Sequence, residues 1–256
     1  MSSLVIDATE SAPGALRIRL DAPARRNALS LATVQHLHDT LAANPDPTLL
    51  LGSTTGDIFS AGADLDVDDT SRARLSDLLY ACYEQLVTRP GIVIAVVEGS
   101  AVGGGAQLCA AADVRTISAA ARWRWVGPGH GLAVGAWILP TLLGRSRGLD
   151  LALTSRWLSA EEAVQSGFAA RVDDSPWLRA HEIAQVLARA DAAAIARVKQ
   201  VATDLSLLDR LARERSENKA AWSGSAPSAR QAAADSRRHS GSPRPDAPTR
   251  QDPRGA

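Results

Sequence analysis

The sequence predicts an α/β domain followed by a helical C-terminal region, and three observations carry that expectation. Residues 91–97, GIVIAVV, form a β-branched apolar run of the kind buried on both faces of a sheet. Shorter apolar segments before it alternate with segments whose apolar residues recur at helical spacing. Beyond Gly104 the pattern turns mostly helical.

Taken in order, residues 16–20 alternate as LRIRL and residues 48–51 are mostly apolar, which makes both strand candidates. Between them, residues 30–43 read as a helix with Ser30 as its N-cap. Residues 74–86 place Leu75, Leu78, Leu79, Cys82 and Leu86 on one face of a second helix. Further helices are expected at 148–153, from a Ser159 cap through Val164, and at 177–187; from about Ala192 the helices read as an appended bundle. The boundaries expected are a core over 1–190, a helical region over 191–235 and a tail over 236–256. The Ser/Pro/Arg-rich text after Ser223 has few residues able to fill a core, so disorder is expected beyond about Ser236.

Composition narrows the function classes. The chain has 256 residues, enough for one sizeable core, with 45% hydrophobic and 22% charged residues. Twenty-eight basic side chains balance twenty-eight acidic ones, so no global field draws the protein to nucleic acid or to an anionic membrane, and any anion site must be local. Cys82 and Cys109 sit in apolar runs and are too few for a disulfide framework. With no secretory signal pattern and no window approaching a membrane span, a cytoplasmic location is expected.

Two glycine-rich loops carry the chemistry. Residues 59–65, FSAGADL, follow the apolar segment around Leu51 with small side chains that leave backbone N–H groups accessible. Residues 99–108, GSAVGGGAQL, follow the buried run 91–97, with a helix expected to start inside the glycine triplet. Amides at a helix N-terminus are unpaired and partly positive. Two such loops after neighbouring strands can aim two donors at one oxygen, the geometry of an oxyanion hole. Alone, the triplet would fit a flexible turn or a phosphate cradle, but it matches neither the dinucleotide fingerprint nor the P-loop pattern.

Three segments in this order, Arg26-Asn27-Ala28-Leu29, FSAGADL at 59–65 and GSAVGGGAQLCAAAD at 99–113, resemble the enoyl-CoA hydratase/isomerase, or crotonase, family. The similarity runs from about Leu16 to Ala202. It implies a spiral of β-β-α units, C-terminal helices that build a homotrimer or hexamer, and an acyl-CoA thioester as ligand, with no separate cofactor because coenzyme A is part of the substrate. By carry-over, the N–H groups of Ala63 and Gly104 form the oxyanion hole. Arg25 or Arg26 lies near the CoA phosphates, and Ala61, Asp64 and Leu65 lie near the pantetheine or adenine.

The family pattern breaks where hydratases carry two glutamates. Gln107 stands at the first position and Gly127, in WRWVGPGHG, at the second. An amide holds water but moves no proton, and a glycine offers no side chain. Ordinary hydration should therefore be very slow, and a non-catalytic acyl-CoA carrier or sensor becomes the alternative. Among substitutes, His130 is a candidate acid or base near neutral pH, while Asp68 and Asp69 fall where a lid begins. Tyr80, Tyr83 and Glu84 sit on the next helix, the last two as ordinary helix residues. Trp123, Trp125 and Trp137 serve either an apolar acyl pocket or the core.

Overall fold

The computed structural model describes residues 3–8, 14–64, 66–203 and 205–223. β1 (Leu4–Ala8) pairs antiparallel with β2 (Ala15–Leu20). α1 (Leu31–Ala43) starts where the Ser30 hydroxyl accepts the Thr33 N–H, and it buries Val34, Leu37 and Leu41. β3 (Thr48–Ser53) adds parallel to β2, and the three-residue β4 (Ile58–Ser60) leaves for a second layer. α2 (Asp69–Thr88) begins five residues before the predicted start because Asp68 caps it, its carboxylate accepting the Ser71 N–H. Asp68 and Asp69 are thus a cap and a first-turn residue of this helix.

β5 (Val93–Val97) is wholly buried, as its composition requires. β6 (Ser100–Val102) follows, and α3 (Gly104–Ala111) opens inside the glycine triplet. β7 (Val114–Ile117) and β8 (Arg122–Arg124) then correct the expectation of a helical run after Gly104. They are short, and one is capped at both ends by arginine, so neither has a readable period. α4 (Leu139–Leu143), α5 (Arg145–Thr154), the two-residue β9 (Leu158–Ser159), α6 (Ala160–Gln165) with its Ser159 cap, and α7 (Pro176–Ala188) complete the core.

The strands form two sheets, ordered β1-β2-β3-β5-β7 and β4-β6-β8-β9. Pairing is parallel except at β1–β2 and β8–β9. This mixed α/β architecture is the crotonase spiral that the motifs implied. After the β1–β2 hairpin, the pairs β3-β4, β5-β6 and β7-β8 each place one strand in each sheet, so β4 and β6, paired in parallel, present their C-terminal loops side by side. Trp123 and Trp125 meet Phe168 edge-on at 5.1 and 5.9 Å, and Trp137 stacks on Tyr83, so the three indoles serve the core.

α8 (Ala192–Ala202) and α9 (Leu205–Ser223) follow. The buried Lys199 pins α8 to the core: its Nζ lies 2.8 Å from Asp113 Oδ2 and donates to the carbonyls of Leu86 and Gly91. α9 packs on α2, and its Leu207 and Leu211 are buried in the core. The expected tail lies outside the described residues, and no helix among those described is long and apolar enough to cross a membrane.

Candidate functional site

Asn27 builds the first loop. It is buried at φ +52, a left-handed backbone that asparagine tolerates better than most residues. Its amide donates to Ser53 Oγ, Ile58 O and Phe59 O, while its Oδ1 accepts the Ala22 N–H. Ser60 Oγ donates to Asn27 O and accepts the Gly62 N–H at 3.0 Å. One more bridge completes the turn: Leu29 N donates to Gly62 O and Asp64 N donates to Leu29 O. Because alternate amides of a bridged segment face opposite sides, the Ala63 N–H points away from Leu29.

The second loop meets the first backbone to backbone. Gly62 has φ +94, and a Cβ there would lie 2.8 Å from Val102 O and 3.5 Å from Gly104 N. Gly103 has φ +51, and a side chain on Gly105 would strike Ser60. Gly104 is the first residue of α3, whose opening amides have no partner within the helix. Neither Ala63 N nor Gly104 N takes a hydrogen-bond acceptor among the described residues. Both residues line one cavity of about 110 Å³, together with Ala61, Asp64, Gln107 and His130.

The remaining expected residues are placed as follows. Arg25 and Arg26 are exposed beside the first loop, and Arg25 Nη2 lies 2.6 Å from Asp64 Oδ2. Leu65 lies outside the described residues. Gln107 is buried, and its Oε1 accepts the Trp137 indole N–H at 2.8 Å and the Gly135 N–H at 3.1 Å. Gly127 is held by close packing, since a Cβ would sit 2.6 Å from Leu132 O. His130 ends a 3-10 turn, Pro128–His130. Its Nδ1 is buried without a partner among the described residues, and burial, then the nearby Arg72 charge, holds the imidazole below its ordinary pKa.

Sequence reasoning singled out Tyr80 but missed its partners Glu214 and Asn218 in the polar cluster behind the cavity. Tyr80 and Asn218 line it, as do Tyr83, Arg72 and Trp222. Tyr80 Oη donates to Glu214 Oε1 at 2.7 Å and accepts from Asn218 Nδ2 at 2.8 Å. Glu214 is 4% exposed, and its carboxylate also accepts the N–H groups of Gly135 and Trp137. Burial pushes its pKa up, against the lowering effect of those donors. Tyr83, expected to be an ordinary helix residue, is fully buried, and burial raises its pKa well above normal. A signal for the cluster was present: Leu207, Leu211, Glu214, Asn218 and Trp222 lie on one helical stripe, so the polar pair falls on the buried face.

Comparison with known proteins gives this geometry a family. The chain is 31% identical over 170 residues to "Probable enoyl-CoA hydratase echA6" of Mycobacterium leprae (strain TN), which covers 63% of this chain and 68% of that protein. It is 34% identical over 183 residues to "Enoyl-CoA hydratase domain-containing protein 3, mitochondrial" of Danio rerio, covering 67% of this chain and 62% of that one. The structure of an enoyl-CoA hydratase/isomerase from Pseudoalteromonas atlantica T6c superposes with a TM-score of 0.78 over 93% of this chain and 98% of that chain. At 23% identity this last likeness speaks for the fold alone. The family model described as enoyl-CoA hydratase/isomerase matches residues 10–229, and the chain belongs to that family.

Proposed function

We propose that this protein binds an acyl-CoA thioester with its carbonyl oxygen between the Ala63 and Gly104 amides, stabilising the enolate that forms when a proton leaves the adjacent carbon. The observation that carries this reading is the pair of unpaired amides lining one cavity where two loops touch. Negative charge on the thioester oxygen is what such donors favour, and losing one typically costs about 3–4 kcal/mol of barrier. Arg25, Arg26, Ala61 and Asp64 lie on or beside the same loop, where a pantetheine arm and phosphates would pass.

Hydration needs more than this. Gln107 supports at most a held water, its oxygen already taking two donors, and Gly127 has no room for a carboxylate. Among the described residues Asp64 is the cavity's acidic side chain, and it is paired with Arg25. These facts favour a second reading, a carrier or sensor that holds acyl-CoA without turning it over. Calorimetry with butyryl-CoA, run beside a hydration assay on crotonyl-CoA, tests the reading. Binding with negligible hydration is expected; absence of binding defeats the thioester site, and rapid hydration contradicts the role given to Gln107 and Gly127.

A further inference from the structure

We propose that Trp222, from the C-terminal helix α9, is the wall that limits acyl length, so that the ligand is an acyl-CoA whose acyl group has no more than about four carbons. The proposal rests on the thioester reading above and adds the size of the acyl group.

The cavity is small and, beyond its two amides, largely apolar. At about 110 Å³ it holds about four groups of water size, at roughly 30 Å³ each, which is the thioester carbonyl and about three further carbons. Leu75, Leu79, Val126, Leu132 and Val134 give it an aliphatic lining. With the pantetheine arm along the first loop, the acyl group points toward α2 and α9, which contribute Tyr80, Asn218 and Trp222 to the lining.

These three residues are held in different ways. The Tyr80 hydroxyl donates to Glu214 at 2.7 Å, and Asn218 bonds both polar groups of Ala133, so hydrogen bonds fix both side chains. The Trp222 indole N–H is buried with no acceptor among the described residues, which leaves the ring held by packing. Its presence in the wall serves shape rather than hydrogen bonding.

What lies behind the indole decides its role. Trp222 and Ser76 also line a second cavity, of about 230 Å³, to which α2 and α9 both contribute. There the lining is charged: Arg74, Asp77, Arg215 and Lys219. Arg215 Nε lies 2.7 Å from Asp77 Oδ1, and Arg74 and Lys219 are exposed cations. The indole therefore separates an apolar space from a charged, solvent-facing one. Each CH₂ moved from water into apolar surroundings raises affinity about fourfold. A CH₂ pushed among solvated charges gains nothing of the kind and strips them of water. Affinity should rise carbon by carbon up to the indole and fall beyond it.

The test measures Kd by calorimetry for acetyl-, butyryl-, hexanoyl- and octanoyl-CoA on the wild type, Trp222→Ala and Trp222→Phe. Butyryl-CoA should bind the wild type tightest, with octanoyl-CoA at least tenfold weaker. In Trp222→Ala, butyryl-CoA should stay within about threefold of wild type. Octanoyl-CoA should bind that variant at least tenfold tighter than it binds the wild type, because the space left by the indole takes several CH₂ groups at about fourfold each. Trp222→Phe keeps a ring in the wall and should keep the wild-type order. Should Trp222→Ala not fold, Trp222→Leu makes the same comparison. A purely structural tryptophan would weaken all four ligands together and leave their ratios unchanged, and that result overturns the proposal. Octanoyl-CoA binding the wild type as tightly as butyryl-CoA also overturns it, with the thioester reading intact. A wild type that binds none of the four removes the thioester reading and the length limit with it.

Discussion

Gly62 shows how narrowly the site is specified at the scale of one residue. Its φ of +94 suits glycine, and the carbonyl of Val102 occupies the place a Cβ would take. Gly62→Ala should cost about 1–3 kcal/mol of stability and weaken acyl-CoA binding, because the displaced loop carries the Ala63 amide; thermal melting and calorimetry measure both. His130 makes a separate pH prediction. Burial lowers its pKa, so the folded state favours the neutral ring. Its contribution is present above the unfolded value of about 6.5 and is lost as pH falls through the lowered folded value. Melting temperatures of wild type and His130→Gln between pH 8 and pH 5 should diverge in slope, the wild type losing more; equal slopes would contradict a neutral buried imidazole.

At the scale of elements, α9 joins the pocket loop to α2. Asn218 binds both polar groups of Ala133, and Glu214 takes the amides of Gly135 and Trp137. Asn218→Ala should therefore cost about 1–3 kcal/mol for the polar groups left unpaired, with faster amide exchange confined to residues 132–138. Unchanged exchange there would mean that the loop holds itself. Much of this architecture was legible in the sequence. Ser30 and Ser159 announced α1 and α6, the run 91–97 announced a buried strand, and the triplet announced the start of α3. β8 was not legible, because Arg-Trp-Arg is too short to show a period. Glu214 was missed for another reason: charged side chains on a polar helix usually face solvent, and only the apolar residues flanking it on the same stripe reveal that it points inward.

At the scale of the whole molecule, the fold brings residues from distant positions to one cavity: Asn27 and Ser60 shape one wall, α3 another, and α9 reaches back from beyond residue 205 to close the far side. Val198 and Val201 on α8 and Leu178 and Val186 on α7 remain exposed on the single chain. We expect these apolar residues to be covered in a homotrimer, so sedimentation should report about three times 26.9 kDa. A monomeric mass would contradict that assembly.

The most direct measurement is the infrared carbonyl stretch of an acyl-CoA labelled with ¹³C at the thioester carbon, recorded free and bound. Two amides donating to the oxygen weaken the C=O bond, so the bound stretch should shift to lower wavenumber, and Gly62→Ala should reverse part of the shift. A bound thioester whose stretch stays at its solution position would contradict an oxyanion hole at Ala63 and Gly104.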